Sequence, residues 1–598
     1  MNDSIDPLLL DYYQRELTYL RRASEGFATR YPKIARRLEL GPGECADPHV
    51  ERLIESFAVL TARIQRTLDD EYSTLTDGLL EQLYPYASRP VPSMTLVQFE
   101  PDATQGSLAA GYAVPRATPL THIDANGDTI HWRTAMDVTL WPLAIADAQV
   151  LDAEESQALT GDARLQCALR LSVRATSAVP PGALPVERLR VRLAGSPVNV
   201  AALYDLLAAH TEALWLLDPD GGVQRQRGRP QPLGFDEDHA LLPREDGAHP
   251  ACRLLVEYFA FPEKFAFFDL PFTPQKLGVG QSGTVDLLIG FTAAPEGRLT
   301  VHAEDFTLGC APAINLFART SEPVRPDGTQ REHLISPDAH RQASTEIYAV
   351  RALRSVNGRD VAEVPPWYGA HHGDASSVYW HARRVSGLHA SRPGSDMMLT
   401  FVDTRFDPAD APARTLTADL LCTNRELAQA LEPGALLSFE VPGPVAAVRI
   451  AHRPTRQIAA TLDGSSRWRL ISQLMLNHVS LVEGPQALQT LREMLVLHNL
   501  GASAAAQRQI AGIHALAGEP VVAHVGEDRW RGWRNGLGVR VELGRDGFVG
   551  ASPVLFSGVL AHFFSLYASV NRFVQTALVR DGREIHLWRP MTGSPLVL

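Results

Sequence analysis

The sequence predicts a multidomain α+β protein: a helical N-terminal segment, β-rich middle domains with helical insertions, and a C-terminal α+β domain. Three observations predict this fold class. Apolar residues recur at helical spacing through residue 93, alternate with polar residues over much of the middle, and return to helical spacing after Pro454. The chain has 598 residues, 45% of them apolar and 21% charged, which is typical of folded proteins with several domains.

The N-terminal segment, residues 1–93, contains two helix start signals. Asp6-Pro7 and Asp47-Pro48 each place a capping residue before a proline at the first helical position. Behind the first signal, the apolar residues at helical spacing include Tyr12, Tyr13, Leu17 and Leu20. Behind the second, spacings of four and three residues alternate as in a coiled-coil seam, through Val50, Ile54, Phe57, Thr61, Ile64 and Leu68. A short third helix is predicted over Leu79–Tyr84.

The apolar stripes of these helices have two interpretations, and the residues alone leave both open. A helix must bury its apolar stripe against another element. Either other chains cover the stripes, or the helices cover each other in an intramolecular hairpin. The candidate partner-binding residues of the two stripes are Tyr12, Tyr13, Leu17, Leu20, Val50, Ile54, Phe57, Ile64 and Leu68.

The middle of the chain is predicted to form two β-rich domains, residues 94–335 and 336–453. A proline-rich linker, Ser88–Ser93, precedes them. The clearest period-two alternation lies in Arg164–Arg174. A helical insertion is predicted over Asn199–Leu217. Further strands are predicted over Met94–Phe99, Thr284–Phe291, Glu346–Val350, Val378–Ala382, Met398–Val402 and Val448–Ala451.

Residues 454–598 are predicted to form a separate α+β domain. Its expected helices are Trp468–Leu481, Gly484–Leu500 and Ala502–Ala517, and its expected strands are Val521–Val525, Val539–Leu543, Phe573–Val579 and Ile585–Trp588. The stretch Val554–Val570 carries no formal charge and is long enough to cross a bilayer. Its serines and His562 favour a buried core helix, because polar groups are costly in lipid. No direct membrane insertion is expected.

Composition excludes several classes of protein. The net charge of −12 argues against broad electrostatic binding of nucleic acid. Lys33, Lys264 and Lys276 are the lysines of the chain, and none follows a glycine, so no phosphate loop of the Gly-Lys-Ser/Thr type is present. The five cysteines are far apart and odd in number, which argues against disulfide and zinc frameworks. The N-terminus does not resemble a signal peptide, so we expect a cytoplasmic protein.

Motifs for catalysis or cofactor binding are weak. Gly278-Val-Gly280-Gln-Ser-Gly283 precedes a β pattern rather than a helix, so it predicts a tight turn instead of a dinucleotide site. The histidine-dense region His371–His389 is interpreted as loop residues rather than metal ligands. We therefore predict no catalytic, cofactor or metal site and no enzyme activity. The alternative is a cytoplasmic hydrolase or oxidoreductase whose site is gathered from distant positions.

A second candidate surface lies near the C-terminus. Arg529–Arg534 alternates cations with aromatic rings, an arrangement that suits contact with a protein surface. Its proposed contact residues are Trp530, Arg531, Trp533 and Arg534.

Several stretches, spread over nearly the whole chain, together resemble one family. The most specific is Asp47-Pro-His-Val-Glu-Arg-Leu53, and the others are Tyr12–Leu20, Phe27–Ala35, Glu257–Phe265, Pro312–Phe317, Thr423–Leu427, Trp468–Ser472 and Tyr567–Phe573. They resemble TssF, also called VasA or ImpG, a baseplate subunit of the bacterial type VI secretion system, which is a contractile, phage tail-like injection machine.

The resemblance implies a structural role without catalysis. In that family, two TssF copies and one TssG form a wedge together with TssE and TssK, and the wedges surround the VgrG spike. The expected partners are therefore TssG, a second TssF copy, TssK, TssE, the spike and neighbouring wedges. Contact with the sheath and the inner-membrane complex is expected to be indirect, with the assembly docked in the cytoplasm at that complex. By resemblance, the N-terminal helices would join those of TssG and the second TssF copy in a bundle.

Overall fold

The computed structural model describes residues 7–38, 47–102, 108–218, 222–245, 248–277, 283–326, 330–357, 360–368, 378–387, 394–403, 415–460, 484, 486–524, 533–568 and 572–593. Within them, the α-helices are α1 Pro7–Arg30, α2 Pro32–Arg37, α3 Pro48–Leu83, α4 Pro85–Ser88, α5 Ala153–Thr160, α6 Pro197–Ala209, α7 Pro250–Ala260, α8 Ala487–His498, α9 Ala504–Ala511 and α10 Pro553–Tyr567. The predicted helix Trp468–Leu481 lies outside the described residues.

The strands of the described residues are β1 Met94–Pro101, β2 Tyr112–Val114, β3 Pro119–Ile123, β4 Thr129–Thr134, β5 Val138–Leu140, β6 Leu143–Leu151, β7 Cys167–Ala175, β8 Arg188–Leu193, β9 Thr211–Leu217, β10 Val223–Arg225, β11 Gln231–Pro232, β12 Phe267–Pro271, β13 Thr284–Phe291, β14 Phe306–Thr307, β15 Cys310–Ile314, β16 Phe317–Thr320, β17 Glu332–Ile335, β18 Glu346–Asn357, β19 Asp360–Val364, β20 Val378–Ser386, β21 Ser395–Asp403, β22 Thr415–Thr423, β23 Leu436–Phe439, β24 Val445–Ile450, β25 Ile513–His524, β26 Trp533–Leu543, β27 Phe573–Arg580, β28 Arg583–Leu587 and β29 Met591–Thr592. The helices and sheets together confirm the α+β class.

The chain divides into two compact units. The helical unit is built on Met1–Leu80, and the larger body is built on Glu81–Leu462 and Ser472–Leu598. In the helical unit, α1 ends before Pro32 because proline lacks an N–H and forces Tyr31 out of the helical region, to φ −132° and ψ 64°. The predicted short helix Leu79–Tyr84 is instead the last part of α3, which continues without a break to Leu83.

Six strands of the body form a closed barrel in the order β1-β15-β4-β3-β23-β24. The register pairs Val97 with Ala311 on one side and with Ile450 on the other, so β1 lies between strands that come from far along the chain. Alternate residues point inward, and Phe99 and Trp132 are among the buried residues of this core. The strands predicted at Met94–Phe99 and Val448–Ala451 are thereby confirmed, with their ends within three residues of the predicted ones.

The body also contains a five-stranded antiparallel sheet in the order β10-β9-β13-β7-β6. The predicted helix Asn199–Leu217 is wrong beyond Ala209, because Thr211–Leu217 forms β9 between β10 and β13. Leu214 and Leu216 enter the large core, while Trp215 and Leu217 enter a smaller cluster on the opposite face. A strand buried on both faces is apolar at consecutive positions, so period two disappears and the pattern resembles a buried helix.

The body also contains a sandwich of two sheets. One sheet has the order β16-β22-β18-β19 and the other β17-β21-β20. Ile347 and Leu420 of the first sheet share a core with Trp380 and Leu399 of the second. The strand predictions for Glu346–Val350, Val378–Ala382 and Met398–Val402 are correct in place and short in length, because β18, β20 and β21 extend further.

The C-terminal part has a mixed sheet, in which β26 pairs with β25 antiparallel and with β27 parallel. The predicted helix Ala502–Ala517 is wrong beyond Ala511, because the helix ends at Gly512 and Ile513 opens β25. The uncharged stretch forms α10, whose residues such as Phe556, Leu560 and Phe563 are buried in the large core. This confirms the prediction of a core helix.

Candidate partner-binding surfaces

Helix α3 buries one face and exposes another. Ala58 and Ala62, one turn apart, are fully buried. The apolar face beside them is exposed: Leu53 is 71% exposed, Phe57 56% and Ile64 60%. Their spacing, with Leu60 between the last two, is four, three and four residues, which places all four on one side of the helix. We call Leu53, Phe57, Leu60 and Ile64 the α3 stripe.

The other predicted residues of the seam take intermediate positions. Val50 and Ile54 are half-buried, at the edge of the α3 stripe. Leu68 belongs to α3, but its side chain lies outside the described part of the chain. The structure therefore places Val50, Ile54, Phe57 and Ile64 on adjoining faces of one helix.

Helix α1 is only shallowly packed. Tyr12, Tyr13, Leu17 and Leu20 are all half-buried, and none of the α1 side chains that the structure describes is fully buried. The Arg21 guanidinium lies 2.6 Å from the Glu51 carboxylate of α3. An ion pair of this kind is worth about 1 kcal/mol or less, so it positions the helices more than it holds them together.

The helical unit buries small residues and exposes large ones. Among its described residues, the buried apolar side chains are Ala35, Ala58, Ala62 and Leu80. The large apolar side chains that are exposed are Leu10, Tyr19, Phe27, Tyr31, Ile34, Leu38, Leu53, Phe57, Val59, Leu60, Ile64 and Leu79. An exposed apolar surface of this extent is typical of a protein–protein interface.

Sequence reasoning missed part of this surface. Phe27, Tyr31, Ile34 and Leu38 were not among the candidates, although their spacing of four, three and four residues repeats that of the α3 stripe. The signal was present, but it crosses Pro32, where a helical pattern is expected to end.

The second predicted surface lies at the end of a hairpin. β27 pairs with β26 from Gly536 onward, whereas β25 and β26 remain paired to His524 and Trp533. Trp533, 67% exposed, and Arg534 therefore lie where two strands extend past the sheet. The Trp533 ring contacts the His524 ring edge to face, with centroids 5.9 Å apart. Trp530 and Arg531 lie outside the described residues.

The other motifs offer no assembled site in the described part of the chain. Residues 278–282, 371–377 and 388–389 lie outside it, although β13 follows Gly283 as the turn interpretation predicts. His381 lies on β20, with its ring 5.2 Å from that of Tyr368. Among the described His, Cys, Asp and Glu side chains, no group of three or more could hold a metal ion. No described helix has the length and apolarity needed to cross a bilayer.

Comparison with known proteins decides the family. The family model for TssF of the type VI secretion system matches residues 5–595. The chain is also 33% identical to type VI secretion system component TssF1 of Pseudomonas aeruginosa, over 99% of both chains. The chain belongs to the TssF family.

Solved structures agree with the assignment to TssF. A chain in the cryo-electron microscopy structure of the TssK-TssF-TssG baseplate subcomplex matches with a TM-score of 0.71 and 25% identity, over 91% of this chain and 99% of that one. A chain in the baseplate complex from the type VI secretion system matches with a TM-score of 0.59 and 22% identity, over 98% of this chain and 100% of that one. The second match shows a shared fold.

Proposed function

We propose that this TssF chain is a structural subunit of a type VI secretion baseplate, and that partner subunits cover its N-terminal helices. The observation that carries the proposal is the α3 stripe, in which large apolar side chains at coiled-coil spacing face solvent. Permanent interfaces of large assemblies are extensive and apolar, which suits such a surface. Membership of the TssF family identifies the assembly as that of the type VI secretion system.

TssG is the proposed partner of the helical surface. A similar chain belongs to a subcomplex of TssK, TssF and TssG, which supports TssG and TssK as partners. We further propose two TssF copies for each TssG, so that a second TssF copy completes the helical bundle. TssE, the VgrG spike and neighbouring wedges complete the proposed partner set. The proposed place of the assembly is the cytoplasmic side of the inner-membrane complex, and the proposed role involves no catalysis.

An aspartate introduced into the exposed surface of α3 tests the proposal. Phe57→Asp or Ile54→Asp would bury an unpaired carboxylate at the interface, which costs several kcal/mol. We expect either variant to lose co-purification with TssG while the body keeps its circular dichroism spectrum and melting temperature. Thr18→Asp is the matched control, because Thr18 is an exposed polar residue of α1 that lies outside the α3 stripe. TssG binding by Phe57→Asp at the wild-type level would show that this surface is not the interface.

A further inference from the structure

A small cleft in the body lies between the barrel and the sandwich. His131 of β4 lines it together with Phe317 and Arg319 of β16. Two further lining residues are Arg341, from the connection between β17 and β18, and Asn424, which follows β22. Its enclosed volume is about 10 Å³, the space of about one water molecule, and the remainder opens to solvent. No residue of this cleft belongs to either surface described above.

Two arginines of the cleft have no carboxylate partner among the described residues. The Arg319 guanidinium lies over the Phe317 ring, 5.7 Å from its centroid, and Arg319 donates a hydrogen bond of 3.4 Å to His131 Nε2. Arg341 forms no ion pair with any described side chain, although it lines the same cleft. Both arginines are exposed, whereas the half-buried Arg170 is paired with Asp286 and the half-buried Arg190 with Asp269.

The histidine of the cleft adds no charge at neutral pH. Burial, followed by the charges of Arg319 and Arg341, lowers the pKa of His131 to about 4. Arginine only donates, so Nε2 of His131 is the acceptor in their hydrogen bond. Asp338 also lines the cleft, and one of its oxygens accepts the His340 N–H at 2.9 Å. Two guanidinium groups and one carboxylate leave the lining with a single net positive charge.

The floor of the cleft is fixed by buried amides. The Asn424 oxygen accepts the His131 N–H and the Asn315 amide, both at 2.9 Å. The Asn424 amide donates to the carbonyl of Thr129 at 3.0 Å. Because Asn315 and Asn424 are both buried and bonded on several sides, they hold the backbone of β4 at His131 in place, while the side chains of Arg319 and Arg341 are exposed at the mouth of the cleft.

We propose that this cleft binds a carboxylate group. One net positive charge complements a monoanion, and guanidinium groups match the planar carboxylate with paired hydrogen bonds. The enclosed space is no larger than one water molecule, so the carboxylate lies at the open mouth of the cleft beside the exposed Arg319 and Arg341, and it comes from an acidic protein side chain or from a small free acid. The inference is independent of the proposed baseplate role, since it uses none of the helical surface.

Saturation-transfer difference NMR on the full chain, with acetate as the probe, tests the proposal. We expect a saturable acetate signal from the wild type and binding on the order of tenfold weaker when Arg319→Gln and Arg341→Gln are combined. Arg298→Gln is the matched control, because Arg298 is exposed and lies outside the cleft, and it should keep the wild-type signal. An unchanged melting temperature establishes that each variant is folded.

Two further measurements identify the ligand. The peptide acetyl-Gly-Asp-Gly-amide presents a carboxylate from a backbone, so tighter binding than acetate assigns the site to a protein side chain and weaker binding to a small acid. Inorganic phosphate is the competitor. The proposal is overturned if the double variant binds acetate as the wild type does. It is also overturned if inorganic phosphate displaces acetate at phosphate concentrations below the dissociation constant of acetate.

Discussion

A buried ion pair illustrates how single residues hold the body together. Glu257 accepts the backbone N–H groups of Leu241 and Leu242 at 3.1 and 2.9 Å, and its other oxygen bonds to the ammonium of Lys264. Both side chains are almost fully buried. Desolvation lowers the pKa of Lys264, and the Glu257 charge opposes this effect. The pair ties α7 to the segments on either side of it.

Removing one partner of this pair should therefore be costly. We predict that Lys264→Met lowers the free energy of unfolding by about 3–5 kcal/mol, because buried Glu257 loses its hydrogen-bonded cation and keeps only the Arg253 guanidinium, 4.0 Å away. Urea unfolding monitored by fluorescence measures the loss. The double variant Lys264→Met with Glu257→Gln should recover part of it. A loss below about 1 kcal/mol in the single variant would contradict the prediction.

Asp205 predicts a pH dependence of stability. The Ser552 hydroxyl donates to its carboxylate, and burial raises the pKa of Asp205 to about 7, against the opposing effects of Ser552 and Arg580. Glu296 is the other charged group that acts on it. The folded chain thus holds a proton that the unfolded chain releases near pH 4, so this contribution to stability falls as pH rises from about 4 to about 7.

We expect Asp205→Asn to remove this contribution. Over that pH range, the wild type should lose up to roughly 1.4 kcal/mol per pH unit relative to the variant. Unfolding free energies of the two proteins in urea, measured at pH 4.5, 5.5, 6.5 and 7.5, give the difference directly. A difference that stays constant with pH would show that Asp205 titrates normally.

The sequence predicted some residues of the candidate surfaces and could not predict the residues of the cleft. Phe57 and Ile64 were predicted because coiled-coil spacing can be recognised within one short segment of the sequence. The cleft of His131, Arg319 and Arg341 was not found, because these residues come from three distant segments and share no motif. Only the pairing of strands brings them together.

At the scale of elements, the hairpin of β25 and β26 presents the second predicted surface. Its end carries Trp533 and Arg534 past the edge of β27. Two strands alone are marginally stable in water, so a protruding hairpin gains order when a partner packs against it. Contact between neighbouring wedges is the role that we assign to it.

Charge reversal at this hairpin tests the assignment. We predict that Arg531→Glu combined with Arg534→Glu impairs assembly of wedges into rings, because the reversed charges add to a net charge of −12 on each chain and so increase the repulsion between neighbouring copies. TssG should still co-purify with the variant. Arg540→Glu, at an exposed position of the same strand, is the matched control. Sedimentation and negative-stain microscopy report the rings, and normal rings from the double variant would exclude this surface.

Element boundaries failed where a helix passes directly into a strand. Asn199–Leu217 and Ala502–Ala517 were each predicted as one helix, and each contains the start of a strand. In both cases the apolar pattern continues past the helix end. The second boundary is marked by Gly512, a residue common at helix ends, whereas the first has only His210 between the two elements.

At the scale of the whole molecule, the body interleaves distant parts of the chain. The barrel draws strands from residues 94–134, 310–314 and 436–450. The large core likewise joins residues such as Leu171 and Phe268 to Leu491 and Phe563. Local patterns predicted β1 and β24 of the barrel, but they could not predict which strands pair, since shape and register across long separations decide that. The boundaries 94–335, 336–453 and 454–598 stay a prediction.

The closure of the barrel bears on how the protein is made. Strand β1 can pair with β24 only after Ile450 has been synthesised. At roughly 5–20 residues per second, synthesis of the chain between these two strands takes tens of seconds. Even after β15 has been made, the edge of β1 that faces β24 stays unpaired until the end of that interval, behind an uncovered helical segment. Synthesis beside chaperones, and close to freshly made companion subunits, would shorten the period in which this chain can aggregate.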